Sequence, residues 1–172
     1  IELSQESNGV IAGENKPESG WYLGDTLSAA IGQSYNAYTP IQLANYISAI
    51  ANGGKLNKVS IIKKVENEDE ETIPLRELVE YTKNFTGVDF EAKDIGLDTN
   101  TINHVKEGML SVTSETGGTA SSIFLGSNIQ VGGKTGTAQV TSGSENGIFV
   151  GFAPYDNPKI AVVAIIEHGE EG

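Results

Sequence analysis

Between Thr39 and Gly54 the apolar positions Ile41, Ala44, Ile47 and Ala51 recur every three or four residues, with Leu43 and Ile50 widening the stripe. Residues at that spacing share one side of a helix, so the pattern predicts a helix over 40–52 with one face turned to a core. Its ends are written in the flanks. Thr39 can cap the free N–H groups, Pro40 at the first helical position forfeits no hydrogen bond, and Gly53-Gly54 supplies a left-handed stop. A second stripe, Ile102, Val105, Met109 and Val112, predicts a helix over 101–114, ended by Gly117-Gly118. Gly108 inside it costs about 1 kcal/mol against Ala, which predicts a close-packed neighbour there.

Three strand-like runs follow, at 130–140, 147–153 and 159–168. The Gly/Ser/Asn/Pro segments between them, 141–146 and 154–158, are short enough to join antiparallel neighbours, which predicts a meander. The last run, Ile160-Ala161-Val162-Val163-Ala164-Ile165-Ile166, is apolar on both faces and is expected to be central or covered by helices. Upstream the pattern weakens. Residues 1–38 are rich in Gly, Ser and Asn and read as surface loop with a short helix over 25–31. The stretch 55–65, with Val59, Ile61 and Ile62, reads as a strand, the acidic tract 66–71 as an exposed turn, and Thr72-Ile73-Pro74 as a short return. The whole predicts an α+β fold, an antiparallel sheet packed by helices. A single unit spans 1–172, with a core at 1–58 and 100–172 and an elaboration at 59–99 whose charges form a solvated face.

Composition narrows the class. At 172 residues and 38% hydrophobic content the chain can bury one ordinary core. No apolar run approaches the roughly 18 residues that cross a bilayer, and Ile1-Glu2-Leu3-Ser4 does not open a signal peptide. The absence of an initial methionine and the ending Gly169-Glu170-Glu171-Gly172 read as a fragment of something longer. A net charge of −12, from 11 basic and 23 acidic residues, argues against nucleic acid as a partner. With no cysteine there is no disulfide, thiolate metal site or cysteine nucleophile, which suits an exported protein.

The strongest candidate chemistry is Gly132-Gly133-Lys134-Thr135-Gly136-Thr137-Ala138. Glycines weaken a strand and usually mark close approach of a backbone or ligand. A plain alternative is an edge lysine that discourages aggregation. Gly133-Lys134-Thr135 also ends like a phosphate-binding loop, but that pattern needs glycine where Asn128 stands and a helix where the strand continues. The third reading is the K-T-G element of penicillin-recognising serine acyl-transfer enzymes.

Context supports the third. Gly24-Asp25-Thr26-Leu27, Ile31-Gly32-Gln33, Thr39-Pro40-Ile41-Gln42-Leu43-Ala44, Ala51-Asn52-Gly53-Gly54, Gly117-Gly118-Thr119-Ala120 and Gly151-Phe152-Ala153-Pro154 stand in order around it. Together they resemble the class B penicillin-binding proteins, over about 1–58 and 100–168, in the C-terminal part of the transpeptidase domain. Ile148 departs from that family, which commonly has tryptophan before Phe149, and this bears on local packing.

The resemblance implies a partial penicillin-binding, serine β-lactamase-like fold and a role in peptidoglycan D,D-transpeptidation through a serine acyl-enzyme. Lys134 and Thr137 would be the catalytic residues, and Thr135, Gly136 and Thr137 would bind substrate. Lys134 would set a positive charge in the cleft, Thr135 would hydrogen-bond the substrate carboxylate, Gly136 would leave room for the acyl chain, and the Thr137 N–H would serve the oxyanion. No metal or organic cofactor is implied. Partners would be peptidoglycan stem peptides and β-lactams. The parent would be anchored at the extracytoplasmic face of a bacterial membrane, and the piece alone would self-associate.

The family's S-x-x-K nucleophile and S-x-N lie upstream of the run matched by Gly24-Asp25 and are expected outside this chain. Ser60-Ile61-Ile62-Lys63, Ser34-Tyr35-Asn36 and Ser144-Glu145-Asn146 fit those short patterns but read as coincidence, the first because a three-residue offset in a strand sends Ser60 and Lys63 to opposite faces. His104 and His168 have no second ligand at helical spacing, and His168 reads as a surface residue. The rival readings are a non-catalytic extracytoplasmic interaction module and a serine β-lactamase or β-lactam sensor.

Overall fold

The computed structural model describes residues 5–13, 20–61, 64–74, 77, 80, 92–140 and 142–169. The first helix, α1, is Leu23–Ala30, and the Asp25 carboxylate accepts the Tyr22 N–H at 2.8 Å to close its first turn. Helix α2 is Pro40–Ala51. Its start is a reciprocal cap in which the Gln42 N–H donates to Thr39 Oγ1 and the Thr39 N–H donates to Gln42 Oε1 at 2.9 Å. The same Gln42 amide also donates to the Ser7 carbonyl, so the predicted start of this helix fastens the N-terminal segment as well. Gly53 and Gly54 both take positive φ and end α2 as expected.

Helix α3, Thr99–Ser114, begins two residues before the predicted start at 101, because Asp98 accepts the Thr101 N–H at 2.9 Å and caps it. Gly108 is exposed with nothing near the place a Cβ would occupy, so the expected close packing is not there and nothing in the structure explains the glycine. A one-turn helix, α4, at Ser121–Phe124 follows the glycine turn.

Among its described residues the elaboration holds less strand than its β-branched residues suggest. Lys55–Leu56 (β1) pairs antiparallel with Lys93–Asp94 (β2), and 57–60 has no regular structure. Strand propensity is realised only against a partner, and in this register β2 begins at Lys93, opposite Leu56. The acidic tract is a turn as expected: Glu66 bridges to Thr72, and Asn67 Oδ1 accepts the N–H groups of Asp69 and Glu71.

The three C-terminal runs form the predicted meander. Strands β3 (Gly132–Ala138), β4 (Asn146–Ala153) and β5 (Ile160–Ile166) make one antiparallel sheet in the order β3-β4-β5. In this register Gly132, Phe152 and Ala161 lie in a row across one face, with Lys134, Val150 and Val163 in the next. Helices α2 and α3 cover that face, and Ile47, Ile50, Ala51 and Met109 close around Phe152, which is 1% exposed. The expectation for the last strand needs correction. Strand β5 is neither central nor covered on both faces: α2 packs on it, Ala161, Val163 and Ile165 are half-buried, and Ile160, Val162, Ala164 and Ile166 are exposed. An apolar pattern states that cover is needed, not that it is present, and among the described residues α2 covers one face.

Candidate active site

The glycine-flanked lysine lies mid-strand in β3 and opens no helix, which removes the phosphate-loop reading. Its glycines divide into two kinds. A Cβ on Gly132 would sit 2.5 Å from the Phe152 ring, and one on Gly133 would sit 2.7 Å from the Phe149 ring. These two glycines are therefore dictated by packing. At Gly136 the nearest atom is the Ile148 Cβ at 3.7 Å, an ordinary contact, and its φ is not positive. Packing does not demand glycine at 136, so its missing side chain leaves space beside the strand. Ile148, the departure from the family pattern, stands opposite that space.

Within the described sheet β4 occupies one side of β3 and the other is open. Two hydrogen bonds identify the residues on the open side. Lys134 Nζ folds back to donate to the Thr135 carbonyl, and Gln33 Nε2 donates to the Thr137 carbonyl at 3.2 Å. In an antiparallel ladder the N–H and C=O of one residue point the same way and alternate residues share a side. Thr135 and Thr137 accept from side chains instead of from β4, so their main-chain groups, N–H as well as C=O, mark the open edge. Lys134 and Thr137 are exposed, while Thr135 and Gly136 are half-buried.

Two residues beyond the strand complete the arrangement. Thr119 Oγ1 lies 2.8 Å from Thr135 Oγ1. Gln33 is itself fixed, its N–H donating to the Ser28 carbonyl at 2.9 Å and its carbonyl accepting from Asn36 Nδ2 at 3.0 Å. Sequence reasoning gave neither a role, although both fall inside runs that carried the family resemblance. Chemically the edge offers one ammonium, the three hydroxyls of Thr119, Thr135 and Thr137, and strand-type donors and acceptors. It holds no nucleophile with an adjacent base among the described residues.

The remaining candidates lie elsewhere. Ser60 is outside any strand, so the opposite-face argument fails for it, and Lys63 is outside the described residues. His168 takes positive φ, donates its N–H to Asn146 Oδ1 at 3.0 Å and sets its ring Nδ1 2.9 Å from the Ser144 carbonyl. It clasps the β3–β4 turn at the surface. Ser144 and Asn146 of the short S-x-N match are thus held in that turn, and Ser34 follows α1 with positive φ. His104 is exposed on α3.

The chain is 33% identical over 167 residues to the peptidoglycan D,D-transpeptidase MrdA of Haemophilus influenzae, covering 88% of this chain and 24% of that protein. It is 28% identical over 192 residues to MrdA of Escherichia coli K12, covering all of this chain and 28% of that protein. It thus spans about a quarter of the curated relatives it matches. Among solved structures it is similar to Pseudomonas aeruginosa PBP2 in complex with WCK 5153, with a TM-score of 0.72 and 31% identity over 100% of this chain and 36% of that one. It is also similar to Helicobacter pylori PBP2 in its complex with MreC, with a TM-score of 0.72 and 29% identity over 99% of this chain and 29% of that one. The mixed helix and antiparallel sheet is the fold of those transpeptidases. The family model for the penicillin binding protein transpeptidase domain matches residues 1–172, so the chain belongs to that family.

Proposed function

We propose that this chain is the K-T-G-bearing part of a peptidoglycan D,D-transpeptidase that cross-links stem peptides, its nucleophilic serine and S-x-N supplied by parent sequence before residue 1. The observation that carries the reading is the open edge of β3, where Lys134, Thr135 and Thr137 flank a glycine that packing does not require. A stem peptide lies along that edge as an added strand, with main-chain hydrogen bonds setting its register. The serine attacks the penultimate D-Ala carbonyl, the C–N bond to the terminal D-Ala breaks, and that residue leaves as an amine after taking a proton. The amine of a second stem then attacks the ester and releases the serine.

Each residue has one part in this. Lys134 turns its ammonium from the Thr135 carbonyl into the cleft, where it attracts the anionic substrate and favours proton transfer towards the leaving amine. Thr135 donates to the substrate carboxylate. Gly136 gives the acyl chain room. The Thr137 N–H, on the open edge, is one oxyanion donor, paired with the N–H of the serine itself. The parent is anchored at the extracytoplasmic face of the membrane, where stem peptides are found. The interaction-module reading gives Gly136 no purpose. The sensor or β-lactamase reading shares the strand but not the names of the relatives.

The test is intact-mass spectrometry with benzylpenicillin. The full-length parent gains one penicillin, the Lys134→Ala parent gains it on the order of 100-fold more slowly with its melting temperature unchanged, and the 172-residue chain alone gains none. Parental kinetics in Lys134→Ala would reassign the lysine to structure, and an adduct on the isolated chain would place the nucleophile here.

A further inference from the structure

Thr119 has no part in the reaction as set out above, yet its hydroxyl is 2.8 Å from that of Thr135. The turn that carries it is held on both sides. A Cβ on Gly118 would fall 2.4 Å from the Ser111 carbonyl oxygen and 2.5 Å from that of Val112, so the turn is pressed against the end of α3 as only glycine allows. Ala120 is fully buried, and its N–H donates to the Val112 carbonyl at 3.1 Å. Ser121 Oγ adds a bond to the Gly118 carbonyl at 2.8 Å. Thr119 is therefore an exposed hydroxyl on a fixed platform, aimed at β3.

Each threonine hydroxyl has one proton to give, whereas a carboxylate only accepts. If Thr135 gives its proton to Thr119, it presents lone pairs to the cleft and opposes a carboxylate there. If Thr119 gives its proton to Thr135, the Thr135 proton is free for the cleft. The two bonds then run in one direction, from Thr119 to Thr135 to the carboxylate, and a chain of that sense polarises and strengthens its last link. We infer that Thr119 is a positioning residue for carboxylate recognition, acting through Thr135 by fixing the direction in which that hydroxyl donates. The inference rests on the transpeptidase reading and on Thr135 as the carboxylate contact.

The experiment measures the second-order rate of benzylpenicillin acylation and the melting midpoint in the full-length parent. It compares wild type, Thr119→Val, Thr119→Ser, Thr135→Val and the double valine variant. Thr119→Val keeps the side-chain volume and removes the hydroxyl. It is expected to slow acylation about tenfold, the usual size for a hydrogen bond serving a charged group, with the midpoint unmoved. Thr119→Ser restores the rate to within about twofold, and Thr119→Val adds little on top of Thr135→Val. Alanine at the same position replaces valine in any variant that does not melt cooperatively. The inference is overturned if Thr119→Val acylates at the wild-type rate, if serine is as slow as valine, or if the full loss persists without the Thr135 hydroxyl. A wild-type parent that is never acylated overturns the transpeptidase reading itself, and this inference with it.

Discussion

Among the described residues the sheet ends in β3 on one side and β5 on the other, and these two strands expose themselves to opposite ends. On the outer side of β3 stand Lys134, Thr135 and Thr137, and the main-chain carbonyls of the two threonines are occupied by Lys134 and Gln33 side chains. A lysine and polar side chains along an edge discourage casual strand pairing, and the occupying amide and ammonium can leave when a better partner comes. Strand β5 has no such device. Ile160, Val162 and Ile166 of its outer face are 60%, 46% and 64% exposed, with no polar residue in the strand. On the function proposed above, the β3 edge is kept polar to admit a ligand and release it, whereas a strand whose faces are both apolar is made for lasting cover.

Both strands depend on Phe152. Its ring fills the space left by Gly132 on β3, and it lies in register with Ala161 on β5 beneath α2. Phe152→Ala is therefore expected to erase the contrast between the strands by loosening both, at about 3–5 kcal/mol. Urea unfolding of the variant against wild type checks it, and a loss below 1 kcal/mol would mean the core does not converge on this ring. The next effect separates the strands. We propose that the isolated chain self-associates through the exposed face of β5; Val162→Lys with Ile166→Lys places two charges there and should weaken that association roughly tenfold or more, close to 1.4 kcal/mol, in sedimentation equilibrium. Lys134→Ala on β3 should leave association unchanged. Equal behaviour of the two variants would show that β5 is not the associating surface.

How far the sequence already contained this picture depended on whether a feature was local. The α2 cap, its glycine stop and the three-strand meander were legible because Thr39-Pro40, Gly53-Gly54 and the short loops act within a few residues of themselves. The K-T-G strand was legible through its neighbours in order, and through a lysine that no core would accept. What escaped was relational. Gly132 and Gly133 look the same as Gly136 in sequence, yet two phenylalanine rings dictate the first pair and no neighbour dictates the third. Val59 and Ile61 carry strand propensity yet lie in no strand of the described residues. Thr119 and Gln33 meet β3 from 16 and 104 residues away, and nothing in their own surroundings announces it. The double exposure of β5 escaped for the same reason, since a pattern records a need for cover without naming its source.

The smallest expected effect concerns the link between β4 and β5, where Tyr155 joins the two edges. Its ring stacks on Phe152 with centroids 6.0 Å apart, and its N–H donates to the Gln130 carbonyl at 2.9 Å, just ahead of β3. Burial, with the charges of Glu107 and Asp156 adding to it, holds the phenol above the ordinary tyrosine value of 10.0. Lys106 sets its ammonium 5.6 Å from the centroid of the same ring. The raised value fixes the sign. The folded chain keeps its proton at a pH where the unfolded chain has lost it, so this contribution is fully present below pH 10.0 and is lost as pH rises through the folded value. Tyr155→Phe retains the stack on Phe152 and cannot ionise. Wild type and variant are therefore expected to run parallel in urea midpoint from pH 7 to about 9, and wild type alone should bend downward above 10. Curves that stay parallel to pH 11 would mean that the phenol is as free to ionise in the folded chain as in the unfolded one. Tyr155 would then rest against Phe152 as a surface ring, and the link between the two edges would depend on the Gln130 hydrogen bond without support from the stacked ring.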